Sequence, residues 1–129
     1  MKNKRIITAF IAITILLLSN ILVFSQTGKR ERIRFKRGST SAKVSGAVVR
    51  GTRDTYIIGA RKGQTMTVSI TSVEDNASFT ISYAGGQEAL QDATDVKRWS
   101  GELTDDNDYE IEVGPTRGNA TYSLIVKIK

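Results

Sequence analysis

The chain has 129 residues, 19 of them Lys or Arg and 13 Asp or Glu, for a formal net charge of +6 with no histidine. It has no cysteine either, and together these absences remove disulfides, the commonest zinc and copper ligands, thiol nucleophiles and the usual serine–histidine machinery. What remains is carboxylate chemistry, lysine chemistry or no catalysis.

The chain opens with three cations, Lys2, Lys4 and Arg5, followed by an apolar run from Ile6 to Phe24 and a small residue, Ser25. That order is the pattern of a secretory signal peptide over 1–25, cut between Ser25 and Gln26. The competing reading is an uncleaved membrane anchor, since the run is about the roughly 20 residues a spanning helix needs. With the signal removed there is no stable membrane insertion, and the chain works in the periplasm or outside the cell.

The remainder is one domain. Sixteen basic and 13 acidic residues lie beyond Ser25, and they are unevenly spread. From Gln26 to Val73 there are eleven basic and two acidic residues; from Glu74 to Lys129 there are five and eleven. The densest patch is Lys29, Arg30, Arg32, Arg34, Lys36 and Arg37. One reading is attraction to an anionic polymer or lipid head groups; the other is a solvated arm and a charged edge strand that resists unwanted pairing. The exported compartment speaks against nucleic acid. Residues 26–31 are expected to be a flexible arm, with the folded domain over 32–129.

Past the arm the hydrophobic period is two. Ile33 and Phe35 alternate with basic residues. Ala42, Val44, Gly46 and Val48 make the next strand. Thr55 to Ala60 is a short continuous run. Met66, Val68 and Ile70 alternate, as do Phe79, Ile81 and Tyr83. Glu88 to Lys97 carries no period and reads as a loop or one helical turn. Trp99 to Leu103, Tyr109 to Val113 and Tyr122 to Ile128 complete the set. Glycine, asparagine and aspartate punctuate the joins. Eight short, half-buried strands predict an all-β antiparallel sandwich, jelly-roll-like. Ile33, Val44, Val68, Phe79, Trp99, Tyr109, Val113 and Leu124 are expected in its core.

Several motifs bear on chemistry. Asp105, Asp106 and Asp108 are close enough to recruit calcium through oxygen, but they lack EF-hand spacing and read better as a solvated turn. Glycoside hydrolysis needs two acids facing one cleft; Glu102, Glu110 and Glu112 fall on the solvent faces of strands, so no catalytic pair and no enzyme is expected. Asn76-Ala77-Ser78 and Asn119-Ala120-Thr121 match the N-glycosylation pattern and read as turn-to-strand junctions. Gly114 to Asn119 places one arginine, Arg117, at the tip of a glycine-bounded loop, either as a probe for a carboxylate or as an ordinary solvated side chain.

Four segments, RIRFKRGSTSAKVSGAVV, YIIGARKGQTMTVSI, RWSGELTDDNDYEIEVG and TRGNATYSLIVKI, together resemble the secreted bacterial inhibitors of g-type (goose-type) lysozyme. GQTMTV and DYEIEV are also similar to pre-peptidase C-terminal sandwiches. The resemblance implies a periplasmic sandwich that occludes a lysozyme active-site cleft, with g-type lysozyme as partner and no cofactor. It places Arg117 and Tyr56 in the partner-binding surface, with Thr116 and Asn119 beside them. The loop is shorter than the family pattern and holds one arginine rather than two. The alternative is a non-catalytic envelope module for anionic polymer or glycan.

Overall fold

A computed structural model describes residues 28–129. The expected signal segment 1–25 lies outside the described residues, as do Gln26 and Thr27 of the arm.

The described chain is all β, in eight strands: β1 (Arg30–Arg32), β2 (Ser41–Val48), β3 (Asp54–Ala60), β4 (Thr65–Ser72), β5 (Ala77–Tyr83), β6 (Arg98–Glu102), β7 (Asn107–Pro115) and β8 (Ala120–Ile128). They form two four-stranded sheets, β1-β3-β7-β5 and β2-β8-β4-β6. Successive strands alternate between the sheets, so every connection crosses the sandwich. The period of two follows, because each strand turns one face to the opposite sheet and one to solvent. Tyr56, Ile58, Tyr109, Ile111, Val113, Phe79 and Ile81 meet Met66, Val68, Leu124 and Val126, all at most 1% exposed.

The pairing is antiparallel except for β1, which runs parallel to β3 with Arg30 opposite Thr55 and Arg32 opposite Ile57. Here the structure corrects the expected arm. Residues 28–31 lie along the sheet. The Lys29 amide donates to Asp54 Oδ1 at 3.0 Å, and Lys29 O accepts from the Thr55 amide at 2.9 Å. The first strand is therefore Arg30–Arg32, just ahead of the Ile33–Phe35 alternation, and Ile33 follows it into the core.

Two expected core residues are only half-buried. Val44 lies on β2 and Trp99 on β6, the two edges of their sheet, where a neighbour is missing on one side. The aperiodic stretch holds no helix. It follows β5, bridging Phe79 to Val96 and Ser82 to Ala89, and carries the chain round the sandwich edge to β6. Leu90 and Ala93 on it are buried core residues that no period announced.

Candidate functional site

Three connections meet at one end of the sandwich: β2–β3, β4–β5 and β7–β8. The β7–β8 loop, Thr116 to Asn119, is tied to both neighbours. Gly118 turns it with φ +57°, a conformation that favours glycine. Asn76, only 2% exposed, donates Nδ2 to Arg117 O at 3.0 Å and to Asn119 O at 2.9 Å, while its own carbonyl accepts from the Thr116 amide at 2.8 Å. Asn119 Oδ1 accepts from the Arg50 amide at 2.9 Å. Both asparagines sit immediately before a strand, as the junction reading requires, and both side-chain amides are engaged in bracing the loop.

Arg117 is exposed at the tip. Its Nη2 donates to Glu74 O at 2.7 Å, which aims the guanidinium across the β4–β5 turn. The rest of the fork has no hydrogen bond among the described residues. Beside it runs a groove of about 360 Å³ lined by Val48, Val49, Val73, Glu74, Asn119 and Ala120. Val73 is 89% exposed and Val49 46%, the large apolar side chains that the described fold leaves most open. Nothing in the local pattern around Val73 marks it as an open apolar side chain.

Tyr56 is placed differently from the expectation. It is 0% exposed, and its hydroxyl meets the Tyr122 hydroxyl at 2.5 Å inside the sandwich. Tyr122 donates to Asp54 Oδ2 at 2.6 Å. Burial, then the hydrogen bonds to Asp54 and Tyr56, push the Tyr122 phenol far above its ordinary value, so it stays a donor. Lys29 Nζ covers the Tyr56 ring at 5.3 Å from its centroid. Thr116, Arg117 and Asn119 thus form one exposed surface, and Tyr56 is sealed behind it. An aromatic hydroxyl in a strand does not tell from sequence which way it points.

Three of the six residues of the basic patch are paired within the fold. Arg30 pairs with Glu110, Arg32 makes a forked contact with Asp108 at 2.7 and 3.1 Å, and Lys29 lies 3.9 Å from Glu31. Arg34, Lys36 and Arg37 stay exposed without an ion pair among the described residues. The aspartates of the β6–β7 turn diverge. Asp106 Oδ1 accepts from the Lys62 amide at 2.7 Å, Asp105 Oδ2 from Thr104 Oγ1 at 3.1 Å, and Asp108 serves Arg32. Among the described residues no three potential ligands gather to hold a metal.

No family model matches the chain. A protein of Escherichia coli K12 described as an inhibitor of g-type lysozyme is 29% identical, covering 100% of both chains. The crystal structure of PliG from Aeromonas hydrophila, a periplasmic inhibitor of g-type lysozyme, superposes with a TM-score of 0.71 at 28% identity, covering 81% of this chain and all of that one. Sequence and fold both resemble the g-type lysozyme inhibitors. The Salmonella Typhimurium PliG agrees, with a TM-score of 0.63 at 27% identity over 79% of this chain and 99% of that one. The pre-peptidase C-terminal domain of a Bacillus anthracis collagenase shares the fold at a TM-score of 0.61 and 15% identity, with 81% of this chain and 100% of that one covered. The PliG-like inhibitors are thus similar in sequence as well as in fold, and the collagenase domain in fold alone.

Proposed function

We propose that this chain is a periplasmic or secreted inhibitor of g-type lysozyme that binds by blocking the active-site cleft and performs no chemistry of its own. The observation that carries the reading is the end-to-end match to the Escherichia coli inhibitor, in a chain whose fold superposes on PliG across the whole of that structure.

The braced loop end is the surface we assign to the lysozyme. A lysozyme cleft holds a catalytic carboxylic acid, and Arg117 offers a guanidinium held on a loop that the β2–β3 and β4–β5 connections brace. A forked guanidinium–carboxylate contact in a water-poor cleft is strong and directional. Immobilisation before binding lowers the ordering cost. Val73 and Val49 supply the apolar surface that such an anchor needs around it to exclude water. Tyr56 acts as a positioning residue, holding β3 and the start of the loop end in place through Tyr122.

The test is turbidity-based inhibition of g-, c- and i-type lysozymes, with thermal melts of each variant. The wild type should inhibit the g-type enzyme. Arg117→Ala should weaken binding by about 2 kcal/mol or more, as interface arginine anchors do. Arg117→Lys should recover only part of that, since an ammonium cannot make the forked contact. Val73→Asp, at a site with almost no folded-state contacts, should weaken binding with the melting temperature unchanged. A wild type inert toward every g-type lysozyme sinks the function; a wild type that inhibits while both Arg117→Ala and Val73→Asp inhibit equally well sinks only the surface.

A further inference from the structure

Cations gather at the end of the molecule opposite the Arg117 loop. Strand β1 runs parallel to β3 and so heads toward the β3–β4 connection, and β2 starts where Ser41 pairs with Lys127, near the end of β8. The topology thereby brings Arg34, Lys36 and Arg37 of the β1–β2 connection to the same end as Arg61 of the β3–β4 connection and Lys127 of β8. Lys43 joins them. It shares the outer face of its sheet with Lys127, one diagonal step away in the β2–β8 ladder. All six residues are exposed, and none holds an ion pair among the described residues.

The pairing that neutralises Arg30 and Arg32 thus stops at Arg32. The acids of this end lie elsewhere on it. Glu102 is on β6, at the opposite edge of the sheet from β2, and Asp105 and Asp106 are on the β6–β7 connection, where Asp106 Oδ1 accepts from the Lys62 amide at 2.7 Å. Between the β1–β2 and β3–β4 connections runs a groove of about 360 Å³, with Phe35, Ser39, Arg61, Gln64 and Ile128 among its lining residues. The six cations do not converge on one point: alternation turns Lys43 and Lys127 to the outer face of the sheet, while Arg61 lines the groove. Unpaired like charges at one end add into a single positive field.

We propose that this end docks on a linear polysaccharide bearing negative charges along its chain. A small anion needs donors that converge; a chain of repeated charges meets a spread field at several points at once. The groove admits a single strand of polymer, whereas a bilayer surface is too flat to follow it. A peripheral membrane site also sets apolar side chains beside its cations. Here the large apolar side chains left exposed are Val49 and Val73, both at the Arg117 end. The proposal goes beyond the lysozyme reading and does not rest on it. The nine residues of β8 separate the two ends, roughly 25 Å at a strand's rise per residue. A chain held on a polymer by its basic end keeps the loop end free for a protein.

The purified protein is titrated calorimetrically with polygalacturonate, dextran sulfate and, as the neutral control, dextran. Saturable binding to the charged polymers and none to dextran is expected, weakening steeply from about 20 to about 300 mM salt as screening shortens the field. The triple variant Arg34→Gln/Lys36→Gln/Arg37→Gln and the double variant Lys43→Gln/Lys127→Gln should each weaken binding about tenfold or more, with a flatter salt dependence. Both should melt as the wild type does and keep its activity toward lysozyme, while Arg50→Gln at the loop end should change polymer binding by less than about twofold. The proposal is overturned if neither charged polymer binds up to about 1 mM at low salt. It is equally overturned if dextran binds as well as dextran sulfate, if both cluster variants bind as the wild type does, or if the protein binds phosphatidylglycerol vesicles and neither polymer.

Discussion

Asp54 is 3% exposed, and each of its carboxylate oxygens has one donor: the Lys29 amide on Oδ1 and the Tyr122 hydroxyl on Oδ2. Buried carboxylates persist only with such partners. Gly46 makes the arrangement fit, since a Cβ there would come within 2.6 Å of the Tyr122 hydroxyl. Tyr122→Phe keeps the ring and strips Oδ2 of its donor, so it should cost about 1–3 kcal/mol in denaturant or thermal unfolding. Tyr56→Phe removes a hydroxyl whose hydrogen-bond partner is Tyr122, and should cost about 1 kcal/mol. Lysozyme inhibition should survive it at a temperature where the variant is folded, because the Tyr56 ring is sealed. Loss of inhibition with an unchanged melting temperature would instead mean that the hydroxyl reaches the partner directly.

Strand β1 is short, at an edge and dense in like charge, yet it is fastened three ways: by the ladder to β3, by the Lys29–Asp54 hydrogen bond, and by Arg30 and Arg32 reaching over β3 to Glu110 and Asp108. Gly59 gives the Arg32 contact its room, since a Cβ there would lie 3.2 Å from Asp108 Oδ1. Deleting residues 26–31 should therefore lower the melting temperature by more than about 5 °C, on the order of 1 kcal/mol for a domain this size. An unchanged melting temperature would return this segment to the status of an arm. The sequence hid the strand for a physical reason. Arg30 and Arg32 find their acids 80 and 76 residues away, beyond any window that reads local pattern. Strands β2 to β8 were legible because alternation is local, and their turns carried glycine or asparagine. Residues 88–97 were not, because their backbone bonds run to β5 rather than along a period of their own. At the loop end, glycine and proline marked the Arg117 loop, but nothing local could show that Val73 would stay outside or that Tyr56 would turn in.

Across the whole molecule the basic first half and acidic second half of the sequence are interleaved by topology rather than separated. Asp108, Glu110 and Glu112 project at every second position of β7, and each meets an arginine from earlier in the chain: Arg32, Arg30 and Arg53. With no histidine in the chain, no side chain titrates near neutrality at its ordinary value. The hydrogen bond from Arg32 holds the Asp108 carboxyl below its usual range, and that from Lys97 does the same for Asp75. A depressed carboxylate contributes stability that is complete above its unfolded value, about 3.9, and is lost as pH falls through the lower folded value. On the alkaline side Tyr122 and Tyr109 are raised, chiefly by burial, so their contribution is complete below about 10 and is lost as pH rises beyond it. The melting temperature should therefore be flat from about pH 5 to about pH 9.5, fall below about pH 4 and fall again above about pH 10. Because the Arg32–Asp108 pair is solvent-exposed, added salt should weaken the acid-side contribution. Tyr122→Phe should remove most of the alkaline loss while leaving the acid limb in place. A melting temperature that already declines between pH 7 and pH 5 would show that a group outside these pairs controls acid stability.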